Sequence, residues 1–157
     1  AKKSNSLLVF LDQILDPQNL GAIIRNAECG GADGVIILEH KSAKLTPAVH
    51  KASAGALEWL PIAIVPNLFQ ALELVKSQGY WVYGTIPNAG TSLWETKFSP
   101  KSAIVIDSEG KGIRPLVQKA CDFQNKIPIY GKISSLNAGS ASGIIIYHYR
   151  SQFPLTG

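Results

Sequence analysis

The chain has 157 residues, 46% of them apolar, and carries 15 basic against 11 acidic side chains, a net charge of +4. That length suits one domain with a single substantial core, and the apolar share argues against a disordered chain. No apolar run approaches ~20 residues, which excludes a membrane-spanning helix, and residues 1–11 lack a signal-peptide pattern; the mild positive charge points to a polyanionic partner without requiring one.

Residues 1–6 are polar and read as a linker or tail. Residues 7–11, LLVFL, form a short, wholly apolar run, the mark of a strand buried on both faces. The next segment, DQILDPQNLG, holds Pro17 as a turn or helix-start residue, and from Leu20 the residues Ile23, Ile24 and Ala27 recur at helical spacing until Gly30 and Gly31 stop the helix. GVIIL at 34–38 is a second buried strand, and Thr46 with Pro47 starts a helix, Thr as cap and Pro at the first helical position. A third apolar run spans 60–65, and Asn67 caps a helix with Leu68, Ala71, Leu72 and Val75 on one face, closed by Gly79. Strands follow at 80–85 and at 103–106, separated by a loop over 87–100. Arg114 and Pro115 begin a short helix that ends near Cys121, a sixth strand is predicted at 126–129, and a last helix ends near Gln152.

Apolar strands alternating with helices imply a parallel sheet covered on both faces, hence an α/β fold. The polar loops after strands one, five and six fall at strand carboxyl ends, where open α/β sheets hold ligands. Cys29 and Cys121 stand far apart and read as buried thiols of a reducing compartment. His40, His50 and His148 are dispersed and complete no metal pattern, so no metal is expected.

Each loop alone has an ordinary reading. DSEGKG at 107–112 is no P-loop, because Lys111 is followed by Gly112, and no dinucleotide fingerprint, because Gly30, Gly31 and Gly34 follow a helix rather than the first strand. Arg25, beside Asn26 and Glu28, fits a solvated helix face, although a planar guanidinium also suits a phosphate. The third loop concentrates Ser134, Ser135, Asn137, Ser140 and Ser142 in one segment. A core has little use for so many hydroxyls and amides; a polar ligand site does, and so does a surface loop with Asn137 or Ser140 as helix cap.

Together the three loops are specific. LDQILDPQNLGAIIRNAECGGADGVI, AIVIDSEGKGI and IPIYGKISSLNAGSASGIIIY, in this order and with KASAGALEWLPIAIVPNL between the first two, resemble the SpoU (TrmH-like) branch of the SPOUT RNA 2′-O-ribose methyltransferases over nearly the whole chain. The resemblance implies a parallel-sheet three-layer SPOUT fold with a C-terminal trefoil knot, an exception to the rule against threaded chains. It implies a catalytic domain over 7–157, a homodimer with active sites near its interface, S-adenosylmethionine as cofactor, RNA as substrate and a cytoplasmic setting, or an organelle if a transit peptide has been removed. Among relatives the look is that of 23S rRNA guanosine methyltransferases, with tRNA as the lesser alternative. Many members carry a small N-terminal RNA-binding domain, which this chain is expected to lack.

Carried over by motif, Asn19 and Arg25 belong to the first, Glu109 to the second, Ser135 and Asn137 to the third; Asp107, Ile127 and Leu136 would hold the cofactor largely through backbone groups, with Gly110 shaping the loop. Arg25 is the family's activator of the 2′-hydroxyl. Neutralising a guanidinium near pH 7 would cost roughly 7 kcal/mol, so Arg25 acts more naturally as a cation that lowers the hydroxyl's pKa and holds the adjacent phosphate. Asn19, Ser135 and Asn137 would orient it and the ribose. Two positions depart from the family: Asp107 stands where Gly is usual, and SLNAGSA replaces SLNVSVA, which is expected to loosen the start of the last helix. Asp107 keeps a second reading open, an RNA-binding or ribosome-assembly factor with weakened cofactor binding. An unrelated nucleotide-binding α/β domain is disfavoured by the missing fingerprints.

Overall fold

The computed structural model describes residues 5–86, 90–107, 113–133 and 135–155. Among these residues, seven parallel strands form one sheet: β1 Ser6–Asp12, β2 Gly34–Leu38, β3 Ile62–Val65, β4 Trp81–Thr85, β5 Thr91–Ser92, β6 Lys101–Asp107 and β7 Phe123–Lys126, in the order β3-β2-β1-β6-β4-β7-β5. Among the described residues, five α-helices connect or cover them: α1 Pro17–Cys29, α2 Pro47–Ala52, α3 Leu68–Ser77, α4 Pro115–Ala120 and α5 Ala138–Gln152.

The continuous apolar runs are explained by two cores, one on each face. In β1, Leu7, Val9 and Leu11 point to the side of α1, α2 and α5, while Phe10 points to the side of α3 and α4. The period-2 alternation of a strand repeats this division in β2, where Val35 and Ile37 oppose Ile36 and Leu38, and in β6, where Ile104 and Ile106 oppose Ala103 and Val105. The result is three layers, helix on sheet on helix.

Helix starts follow side-chain chemistry. Asp16 accepts from the Gln18 amide at 2.9 Å with Pro17 behind it, so α1 begins a turn earlier than its first apolar residue. Thr46, Asn67 and Asn137 cap α2, α3 and α5, the last by accepting from the Ser140 amide at 2.8 Å.

Three sequence expectations need correction. The last strand is not 126–129 but Phe123–Lys126. Phe123 stacks on Tyr83 of β4 with centroids 5.0 Å apart, and Asn125 is buried with its amide donating to Thr96 Oγ1 at 2.6 Å, so aromatic and polar contacts fix the register. Pro128 has no N–H for a ladder, and 127–130 run without regular structure. The predicted loop over 87–100 holds the two-residue edge strand β5 and a 3-10 turn, Leu93–Glu95. Cys29 is exposed rather than buried; Cys121 is half-buried, and burial, helped by the Asp122 carboxylate, pushes its thiol up to about 12.

Candidate functional site at the strand carboxyl ends

The central strands end side by side in two carboxylates, since Asp12 of β1 pairs in register with Asp107 of β6. Asp12 is 2% exposed and fully engaged: it accepts from the Arg114 amide at 2.9 Å and from Arg114 Nε at 2.8 Å. A buried carboxylate held by a backbone N–H and a guanidinium is satisfied twice over. It therefore ties the end of β1 to the start of α4, and so fixes one end of the segment that leaves β6 at Asp107. Asp107 itself is half-buried. Glu109 and Gly110, predicted for the same segment, lie outside the described residues.

The third loop enters from β7. Ile127 packs against the core on the α1 side, whereas Ile129, Tyr130, Ile133 and Leu136 stand exposed. Such a concentration of apolar side chains in a loop marks a binding surface more than a folding contact. Asn125, just upstream, is buried, and its Oδ1 has no hydrogen-bond partner among the described residues, an acceptor still available. Ser135 is half-buried, and Asn137 is exposed while capping α5.

α5 then lies along α1 at close range. A methyl on Gly139 would meet Ala22 Cβ at 2.9 Å, so the lack of a side chain there allows the approach, and α5 starts at Ala138. Asn26 Nδ2 donates to the Gly139 carbonyl at 2.8 Å and to Ser142 Oγ at 3.1 Å, and the buried Ser142 hydroxyl donates to the same carbonyl at 2.7 Å. Asn19 Oδ1 lies 3.4 Å from the Gly139 amide. The first and third motifs therefore meet: Asn19 and Asn137 share an open groove of about 650 Å³ with Gln18, Asn26 and Ser140.

Arg25 is not part of that groove. Six residues along a helix of 3.6 residues per turn place it about 120° around from Asn19. Its exposed side chain lines a separate pocket of about 380 Å³ with Glu28, Cys29, Ser53, Ala54, Ala56 and Trp59. Within one chain, then, the structure joins Asn19 to Asn137 and Asp107 to Asp12, and keeps Arg25 apart. Sequence reasoning missed the Asp12–Arg114 clamp, the Asn26 bridge and Trp59. The one available signal was a carboxylate ending an otherwise apolar strand.

A doubly covered parallel sheet with polar loops gathered at its carboxyl end defines a ligand-binding α/β domain, and its motifs meet across α1 and α5. Residues 6–147 match the model of the SpoU rRNA Methylase family, and the chain belongs to that family. An uncharacterised tRNA/rRNA methyltransferase of Synechocystis is 45% identical over 90% of this chain and 37% of its own length. The 23S rRNA (guanosine-2′-O-)-methyltransferase RlmB of Pseudomonas syringae is 41% identical over 90% of this chain and 56% of its own. The chain thus spans between about a third and three fifths of these two relatives. Among solved structures, the SpoU methyltransferase AviRb of Streptomyces viridochromogenes in complex with AdoMet superposes with a TM-score of 0.87 at 28% identity, covering 97% of this chain and 62% of that one. No described helix is long and apolar enough to cross a membrane.

Proposed function

We propose that the chain is the catalytic domain of an RNA 2′-O-ribose methyltransferase that uses S-adenosylmethionine, acts on 23S rRNA rather than tRNA, and works as a knotted homodimer. The observation that carries the reading is the meeting of the first and third motifs, with Asn19 and Asn137 at one end of α5 and the apolar run of the third loop beside them. Choice of rRNA rests on the name of the Pseudomonas relative.

The residues suit an adenosine-containing cofactor. Exposed Ile133 and Leu136 offer apolar faces for a purine, the Asp107 carboxylate is of the kind that accepts ribose hydroxyls, and the backbone of Ile127 and Leu136 supplies further polar groups. When bound, S-adenosylmethionine supplies a methyl group on a positively charged sulfur. Arg25 stabilises negative charge developing on the ribose 2′-oxygen and grips the neighbouring phosphate, remaining a cation throughout. Glu109 and Ser135 complete the site with Asn19 and Asn137, orienting Arg25 and the ribose. Because Arg25 and Asn137 lie in different hollows of one chain, a second copy placed against α1 and α5 is the natural way to complete a site. Calorimetric titration with S-adenosylmethionine tests the reading: saturable one-to-one binding is expected, and absence of binding would leave the RNA-binding factor that Asp107 keeps open.

A further inference from the structure

Trp59 follows the 3-10 turn Ala56–Glu58, and the residue is 77% exposed. A large aromatic left in water contributes little to folding. The backbone that leads to it has a defined, unusual geometry. Ala54 has φ 55° and Gly55 φ 82°, the left-handed region that an alanine seldom adopts. Buried Ser53 donates its hydroxyl to the His50 carbonyl at 2.9 Å, and the Ala54 amide donates to the Lys51 carbonyl at 3.1 Å. Trp59 thus follows a hydrogen-bonded turn held in the left-handed region.

What surrounds it is equally pointed. Trp59 and Arg25 line the same pocket of about 380 Å³, within the ~300–1,000 Å³ usual for ligand sites. Lys51, exposed in the last turn of α2, lies two residues before the pocket's Ser53 and carries a second cation on that stretch of chain. Glu28, in the same pocket, accepts only, and so suits a base N–H rather than a phosphate. An indole and a guanidinium lining one pocket match a splayed-out nucleotide: base on the ring, phosphate on the guanidinium. We propose that Trp59 is the stacking platform for the unpaired base of the target nucleotide, whose ribose is thereby presented to Arg25. The inference rests on the methyltransferase reading and adds a binding residue that the three motifs do not contain.

The test uses the whole chain carrying Trp81→Phe and Trp94→Phe, which leaves Trp59 the sole indole of three. An unpaired ten-nucleotide oligoribonucleotide at low salt should quench its emission, and an abasic counterpart should not. In the otherwise unaltered chain, Trp59→Ala should weaken oligonucleotide binding about tenfold or more. Trp59→Phe should restore most of that loss, with melting temperature and S-adenosylmethionine affinity unchanged in both. No quenching, an undiminished affinity of Trp59→Ala, or emission that tracks protein concentration instead of RNA, as self-association over Trp59 would produce, overturns the proposal. Quenching without S-adenosylmethionine binding would break the methyltransferase reading and leave Trp59 as an RNA contact; methyl transfer without quenching would sink Trp59 alone.

Discussion

Asp107 ends β6 where the family resemblance leads one to expect Gly, and its surroundings bear on what a carboxylate does there. Its neighbour in register, Asp12, is neutralised by Arg114, so the strand ends do not present two uncompensated carboxylates. A carboxylate that accepts ribose hydroxyls adds a charge-assisted hydrogen bond of about 1.5–3 kcal/mol, offset in part by its desolvation. Asp107→Gly should therefore change S-adenosylmethionine affinity by less than about tenfold, or ~1.4 kcal/mol. Calorimetry on both proteins checks this; a gain beyond tenfold would mean that Asp107 obstructs the pocket, and a comparable loss that it is a principal ligand. Single residues were unevenly legible in the sequence. A cap at Asn137 or Ser140 follows from residue type and position, and the structure puts it at Asn137, whereas Asp12 looks like the tail of an apolar run until Arg114, 102 residues away, is folded onto it. Trp59 carried no signal either, because exposure is not written in a residue's identity.

At the scale of elements, α1 is held by close approach on two sides. A methyl added at Gly21 would lie 2.3 Å from Ala52 Cβ and 3.0 Å from the Ala52 carbonyl carbon, so the backbone of α2 would have to move. Helix propensity alone favours Gly21→Ala by about 1 kcal/mol. Overpacking against backbone costs about 1–3 kcal/mol, and the clash should win: Gly21→Ala is predicted to lower the denaturation midpoint, and a raised midpoint would contradict the packing of α1 on α2. Burial also governs the alkaline limb of stability. The Tyr149 hydroxyl of α5 donates to the Pro100 carbonyl at 2.6 Å, and burial pushes its pKa from 10.0 up to about 12; Cys121 moves from 9.0 to about 12. Both keep their protons in the native state to higher pH than in the unfolded chain. Their stabilisation is thus complete below about pH 9 and is lost as the pH rises towards 12. Denaturant titrations should show stability falling over that window, with a shallower fall in Cys121→Ala; a flat profile would contradict the burial. The strands β1, β2 and β6 were readable because strands covered on both faces are apolar throughout. β7 was not, because FQNK is placed by the rings of Tyr83 and Trp81 and by the Asn125–Thr96 bond, none of which is local.

For the molecule as a whole, the separation of Arg25 from Asn137 ties the proposed site to a second copy of the chain. A homodimer is predicted at micromolar concentration, and sedimentation that finds only the 16.9 kDa species would remove the proposed composite site. The three-layer order was legible from alternating apolar runs, but periodicity says nothing of threading or of a second copy, both of which came from resemblance alone. The most direct test of the central claim is to incubate the chain with methyl-labelled S-adenosylmethionine and unmodified ribosomal RNA, digest the RNA, and identify the labelled nucleoside by mass spectrometry. Label is expected on a ribose 2′-oxygen at a defined 23S position, abolished by Arg25→Ala while S-adenosylmethionine affinity stays within a few fold. Label on a base, no label despite cofactor binding, or near wild-type labelling by Arg25→Ala would contradict it.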